Sequence, residues 1–220
     1  MKVLGFDPSL TNFGWAIHDS DESLGSPTRC LDRGRIQTSS KTLFVDRYCD
    51  IRQRVGDLVR NTGIRKLGVE SPVFGELYSE GLYGLYLYTC EALRAEKCDV
   101  VYFSPGQIKA KARAFLTRPT GWKMQKPDMV EAAKTDCGFR GSWNHNEADA
   151  YWAAICGYRF WAFMEGTLAK TDLTATELKQ FTEIHTYTKG QRAGEVVVRG
   201  LLYREDDRFF RWSLESENGA

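Results

Sequence analysis

No uncharged run in this sequence is longer than the eleven residues from Pro8 to His18, which is too short to cross a bilayer. The first ten residues carry Asp7 and lack a long apolar core. They do not read as a secretory leader, so the expected location is the cytoplasm, with no membrane partner. The six cysteines (Cys30, Cys49, Cys90, Cys98, Cys137 and Cys156) never form a Cys-x-x-Cys pair. Thiols so widely spaced read as buried and free rather than as a disulfide framework or a zinc site. Internal repeats and low-complexity tracts are absent. Excess charge is absent too: 30 Lys and Arg face 29 Asp and Glu, for a net charge of +1. That excludes a polybasic coat but leaves room for a local basic groove.

What is present is ordinary for a globular protein: 42% hydrophobic and 27% charged residues over 220 positions. This suffices for one well-buried domain and an appendage. A short apolar strand at 2–6, a second strand at 13–18 and a third at 33–38 would make a meander of three strands. The apolar spacing of 43–60 is helical, with Asn61 to Gly63 as a stop. A strand at 66–70, a helix at 82–97, a strand at 99–103 and helices at 127–136 and 147–164 follow. Three antiparallel strands and then alternating helices and strands imply an α/β fold with a mixed five-stranded sheet covered by helices. The texture changes near 166–172, giving a domain at 1–165 and an extension at 166–220. In the extension Thr174 and Glu177 form a capping box over a helix to about Phe181. Residues 195–204 and 208–214 read as a hairpin turning at 205–207.

Three carboxylates fall at element ends. Asp7 closes the first strand, Glu70 closes the strand at 66–70, and Asp149 sits in the first turn of the last long helix. Singly, each has an ordinary reading as a turn former, a solvated strand end or a complement to the helix dipole. Together they can converge, because both strands belong in the middle of one sheet. Clustered carboxylates repel unless a cation neutralises them, and hard oxygen ligands select magnesium or manganese. Two such ions about 4 Å apart activate water and steady the leaving oxygen in phosphodiester hydrolysis. Residues 100–127 hold Lys109, Lys111, Arg113, Arg118, Lys123 and Lys126 and no Asp or Glu. The stretch reads either as a solvated face or as a phosphate-binding surface.

The run from Gly5 to Ala16 (Gly-Phe-Asp-Pro-Ser-Leu-Thr-Asn-Phe-Gly-Trp-Ala) resembles the opening of the RuvC-like Holliday-junction resolvases of the RNase H-like superfamily. The resemblance continues at Gly68-Val69-Glu70 and at Asn146-Glu147-Ala148-Asp149-Ala150, and spans about residues 1–165. It implies an RNase H-like fold and a magnesium- or manganese-dependent endonuclease that uses two ions. It also implies a homodimer that nicks four-way DNA junctions in pairs, leaving 5′-phosphate and 3′-hydroxyl ends. Asp7, Glu70, Asn146 and Asp149 would then be metal ligands. Asn146 stands where the family has Asp or His, which leaves His145 as an alternative ligand. Lys109 and Lys126 resemble the family's assisting lysines. Phe74 falls where the family has a base-wedging aromatic, although it could equally be a core side chain. Tyr78, Tyr83, Tyr86 and Tyr88 read as helix packing. The unusual tail would suit a phage or other virus-type member, located in the host-cell cytoplasm. A non-catalytic branched-DNA-binding relative is the alternative. An actin-like phosphotransferase is disfavoured, since the chain lacks a second domain and a second Gly-rich phosphate loop.

Overall fold

The computed structural model describes residues 1–20, 30–71, 80–119, 121–138 and 141–182, together with the backbone of 184–186, 196–198, 202–205 and 208–211. A five-stranded sheet runs in the order β3-β2-β1-β4-β5. Its strands are β1 (Lys2–Asp7), β2 (Asn12–Asp19), β3 (Cys30–Gln37), β4 (Lys66–Glu70) and β5 (Asp99–Phe103). The first three are antiparallel, and β4 and β5 run parallel to β1. This is the expected mixed sheet, with β1, β2, β4 and β5 within a residue or so of their expected positions and β3 starting three residues earlier than expected. Among the described residues no helix is long and apolar enough to cross a membrane.

Side-chain alternation sends the two faces of the central strands into different cores. Leu4, Phe6, Phe13, Ile17, Leu67 and Val69 pack under α1 (Phe44–Thr62) and α2 (Glu80–Ala95). Val3, Ala16, Val101 and Phe103 pack under α5 (His145–Met164), which is flanked by α3 (Pro105–Arg113) and α4 (Lys126–Cys137). Glycine dominates this second face. A Cβ at Gly5 would lie 2.0 Å from the Ala150 carbonyl oxygen, one at Gly14 2.1 Å from that of Asn146, and one at Gly68 2.1 Å from that of Ala153. Gly5 and Gly68 are direct partners in the β1–β4 register, and Gly14 faces Asp7 across β1–β2. The helix backbone therefore rests on a notch one glycine deep on each of three adjacent strands.

Several local features differ from expectation. Helix α3 was not anticipated. It begins with a capping box in which the Gln107 amide donates to Ser104 Oγ and the Ser104 amide donates to Gln107 Oε1, with Pro105 at the first helical position. Ser-Pro-x-Gln is a recognised start signal, hidden here by the short apolar content that follows it. Among the cysteines, Cys98, Cys137 and Cys156 are buried as expected, but Cys49 is exposed, on the outer side of α1. The described residues of the expected strand at 195–204 fall in two separate sheets. Strand β7 (Val196–Val198) pairs back antiparallel with β6 (Ile184–Thr186), and β8 (Leu202–Glu205) pairs with β9 (Arg208–Arg211) around the expected turn. Helix α6 (Ala175–Thr182) forms with its Thr174–Glu177 capping box in place. Leu173 and Phe181 belong to the same buried cluster as α5, with Phe181 edge-on to Phe160.

The glycine notch makes a sharp prediction. Gly68→Ala should lower stability by about 3 kcal/mol, because a methyl group cannot fit against the Ala153 carbonyl without displacing the helix. Gly106→Ala, whose Cβ would meet nothing nearer than Ser104 Oγ at 3.8 Å, should stabilise by roughly 0.5 kcal/mol through helix propensity. Urea unfolding of both variants measures the contrast, and similar values for the two would contradict the notch.

Candidate active site

The notch decides where the acids go. Asp7 lies two residues after Gly5 and Glu70 two after Gly68, so each carboxylate is on the same sheet face as its glycine. That face carries α5, whose first turns hold Asn146 and Asp149. A cleft of about 400 Å³ opens where strand ends and helix start meet. It is lined by Asp7, Glu70, Asp149, Asn146, His145, Lys109 and Lys126, with Ser9, Thr11 and Asn12 from the β1–β2 turn and Pro105, Ile108 and Met129 beneath. The three acids singled out far apart in the sequence, the Asn and His beside the last of them, and Lys109 and Lys126 thus share one cavity.

Electrostatics in this cleft are strained. Burial raises the Asp7 carboxyl well above its ordinary range, the charges of Glu70 and Asp149 raise it further, and Lys126 opposes them. Burial pushes Glu70 up to about 7, helped by Asp149 and opposed by Lys109. Burial likewise lifts Asp149 to about 6 against the pull of Lys109 and Lys126. Two lysines do not offset three desolvated acids. Hard oxygen donors under mutual repulsion fit a divalent cation of the magnesium or manganese type. Among the described residues, however, no three His, Cys, Asp or Glu side chains stand close enough together to hold an ion by themselves. A cation here would draw on these carboxylates together with neutral oxygens and water.

Asn146 is buried, and its Nδ2 donates to the Asn12 carbonyl oxygen. This fixes the sense of the amide, because the reverse orientation would set two oxygens against each other; Oδ1 is the end left for a ligand. His145 lies at the same cleft, with Nε2 3.3 Å from Lys126 Nζ. Burial and then the Lys126 and Arg35 charges lower its pKa, while a hydrogen bond to Asn146 works the other way. A neutral ring accepting from the lysine suits that contact. Glu147 points away, as its helical position requires. It pairs with Arg33 and Arg35 at 3.3 Å each and accepts from the Asn144 amide as the capping glutamate of α5. The start of α5 is thereby bound to β3, with the Arg33 guanidinium 4.0 Å above the Trp143 ring.

The basic stretch needs correction as a block of uncompensated charge. Its acidic partners lie outside residues 100–127. Lys111 Nζ is 2.9 Å from Glu177, Arg118 pairs with Glu131 and reaches Asp128 at 4.0 Å, and Arg113 donates to the Trp122 carbonyl. Lys123 is exposed, and only Lys109 and Lys126 of the six line the cleft. Phe74 and Tyr78 lie outside the described residues. Tyr86 packs on Tyr102 and Tyr88 on Tyr48, as helix packing required, while Tyr83 is exposed. The turn residues Ser9, Thr11 and Asn12 were missed as cleft lining, although a polar turn immediately after a strand-end acid was a usable signal.

No family model matches the chain. Over 59 residues it is 37% identical to the crossover junction endodeoxyribonuclease RuvC of Finegoldia magna, a match covering 27% of this chain and 34% of that relative, about a third of its length. The fold is that of Thermus thermophilus RuvC. The structure of that protein in complex with a Holliday junction substrate superposes with a TM-score of 0.59 at 20% identity, covering 74% of this chain and 96% of that one. The structure described simply as Thermus thermophilus RuvC gives 0.58 at 20% identity, covering 75% and 97%. In fold, and over this short stretch in sequence, the chain is RuvC-like.

Three raised carboxyls carry a cost in the metal-free protein. Their folded pKa values lie above the unfolded ones, so the folded state is favoured at acid pH and loses stability as pH climbs through about 6 to 7. In EDTA at pH 8, Asp149→Asn should raise Tm by about 3 °C, with a smaller gain at pH 5. Magnesium should raise the wild-type Tm more than the variant's. Scanning calorimetry in the two buffers tests this, and a lower Tm for Asp149→Asn in EDTA would contradict the repulsion.

Proposed function

We propose that this chain is a metal-dependent, structure-selective endodeoxyribonuclease that resolves four-way DNA junctions by paired nicks, leaving 5′-phosphate and 3′-hydroxyl ends. The observation that carries the reading is the meeting of Asp7, Glu70 and Asp149 in one cleft with Lys109 and Lys126, on a RuvC-like sheet. Asp7, Glu70, Asp149 and Asn146 Oδ1 would hold two magnesium ions, with manganese able to substitute and His145 the alternative to Asn146. Bound there, the ions supply water activation and neutralisation of the leaving oxygen. The residues do the rest. Burial of the acids keeps bulk water from screening the site. Lys109 and Lys126 bracket the carboxylates and are placed to hold the scissile phosphate against the acids' repulsion. The rigid β1–β2 turn, braced by Asn146, limits the approach of the backbone.

A homodimer fits the two-fold symmetry of the proposed substrate. Its support on the chain is an apolar surface on the α1–α2 side, where Phe44, Val45, Leu82, Tyr83 and Leu87 are exposed. Junction shape rather than base sequence would select the substrate. Lys123, Arg113, Arg118 and Lys111 would add outer phosphate contacts, those already paired doing so weakly. The neutral Asn146 supports a second reading, a relative that holds branched DNA without cutting it.

The deciding assay compares four-way, three-way, flap and linear duplex DNA of one sequence, with magnesium or manganese. Selective nicking of the four-way junction is expected, and binding without nicking in either metal would select the second reading. Asp7→Asn, Glu70→Gln and Asp149→Asn should each reduce cleavage by about a thousandfold or more while junction affinity in calcium is kept. Near-normal cleavage by any of the three would remove that residue from the site.

Asn146→Asp should lower the magnesium concentration for half-maximal cleavage, because it adds a negative ligand. It should also lower Tm, because a carboxylate oxygen then faces the Asn12 carbonyl. His145→Ala should leave the metal requirement unchanged. A severe loss in His145→Ala beside an unaltered Asn146→Asp would transfer the ligand role to His145.

A further inference from the structure

We infer that Glu177, on α6 beyond the sheet domain, is a positioning residue for Lys109: by clamping α3 to α5 it holds the Lys109 ammonium in the acidic cleft. The consequence for cleavage rate rests on the nicking activity proposed above, whereas the clamp itself does not.

Helix α3 has nine residues. Its buried anchors, Ile108 and Ala112, are four apart and lie in line along one side. A nine-residue helix with two buried side chains, although it also meets α4 and β5, has little apolar resistance to rolling about its axis. Lys109 and Lys111 are two residues apart, so they leave the helix in nearly opposite directions. Lys109 enters the cleft, and Lys111 meets Glu177 Oε1 at 2.9 Å on the far side. The ion pair lies off the axis of the apolar anchors, which is where a restraint on rolling has leverage.

Glu177 is also tied to the helix that carries Asp149. The Arg159 guanidinium of α5 donates from Nη2 to Glu177 Oε2 at 3.0 Å and from Nε to Oε1, and its Nη2 also donates to the Asp172 carbonyl at 2.7 Å. Thr174 completes the arrangement by donating to Oε2 from its amide at 2.9 Å and its hydroxyl at 3.0 Å. Burial alone would raise the Glu177 carboxyl, but the hydrogen bonds from Arg159, Lys111 and Thr174 hold it at about 2. The carboxylate is therefore charged at any working pH and acts as a permanent strut. Apolar filling does not replace it. A cavity of about 190 Å³ lies beside the contact, lined in part by Lys111, Ala114, Cys156, Phe181 and Glu177 itself. On this side the orientation of α3 depends on charge more than on packing.

The experiment uses the full chain with Glu177→Gln and, from the other side of the pair, Lys111→Met, which leaves the Arg159–Glu177 contact to preserve α6. Each variant should slow nicking at saturating junction by about tenfold, and Glu177→Gln, which removes no phosphate contact, should keep junction affinity in calcium within about twofold. In a Lys109→Ala background the further loss from Glu177→Gln should fall below about twofold, because the residue it positions is gone. Amide exchange across 108–113 should quicken by about tenfold, with β1 and β4 unchanged. Additive losses in the double variant, or unchanged α3 exchange in both single variants, would overturn the inference. If the wild-type chain nicks no junction, the nuclease reading falls and exchange alone decides: quickened α3 exchange sustains the clamp, and unchanged exchange overturns it.

Discussion

The contact on which everything else depends is the seating of α5 on three strands at Gly5, Gly14 and Gly68. An α-helix usually stands off a sheet by the thickness of two side-chain layers. Here carbonyl oxygens of Asn146, Ala150 and Ala153 occupy the space where strand Cβ atoms would be. Gly157 continues the fit on the helix side, where an added Cβ would lie 3.0 Å from the Gly68 backbone. The gain is proximity. A carboxylate in the first turn of the helix reaches the same cleft as carboxylates at the strand ends, without long flexible side chains to span a gap. Backbone against backbone is also a stiff contact, so the spacing of the acids is set by elements rather than by loops.

That stiffness has an electrostatic counterpart. Three acids are desolvated together and two lysines moderate them, while other cations nearby are occupied elsewhere. Arg33 and Arg35 hold Glu147 at the start of α5, Arg118 is turned to Glu131, and Lys111 and Arg159 converge on Glu177. The division is functional in form. Cations with an acidic structural partner fix the helices that surround the cleft, while Lys109 and Lys126 line it beside the three acids. Such a site is stabilised by what binds it and destabilised when empty, a familiar compromise between stability and activity.

Much of this was legible in the sequence because the signals were local. Asp7, Glu70 and Asp149 were readable from their places at element ends, and Asn146-x-x-Asp149 places two side chains on one helical face; the notch at Gly5 and Gly68 was not read, because it depends on where α5 lands. The strands at 66–70 and 99–103 were readable from short apolar runs bounded by charge. What was not legible depended on partners distant in sequence. Counting charge over 100–127 missed Glu131 and Glu177, so Lys111 and Arg118 read as unpaired. Helix α3 was missed because its start signal precedes a segment with only Ile108 and Ala112 buried. The pairing of Val196–Val198 with Ile184–Thr186 was hidden because strand propensity indicates that a strand forms but not which strand it meets.

The glycine seating also bears on how the protein is made. Of the sheet's five strands β1, with Asp7, is the first made, and α5, with Asp149, follows all five, so the two acids meet only after the whole sheet has been synthesised. Until α5 emerges, the meander of β1, β2 and β3 can form its hairpins with one face bare. The glycines of that face offer little apolar surface to nearby chains, which limits misassociation during the wait. Closure of the helix over the notch then completes the fold and the cleft in one late, long-range step, with the high contact order that slows folding. The nascent chain consequently has no assembled acidic cleft, and a chain that breaks off before α5 carries two of the three acids on strands without the third.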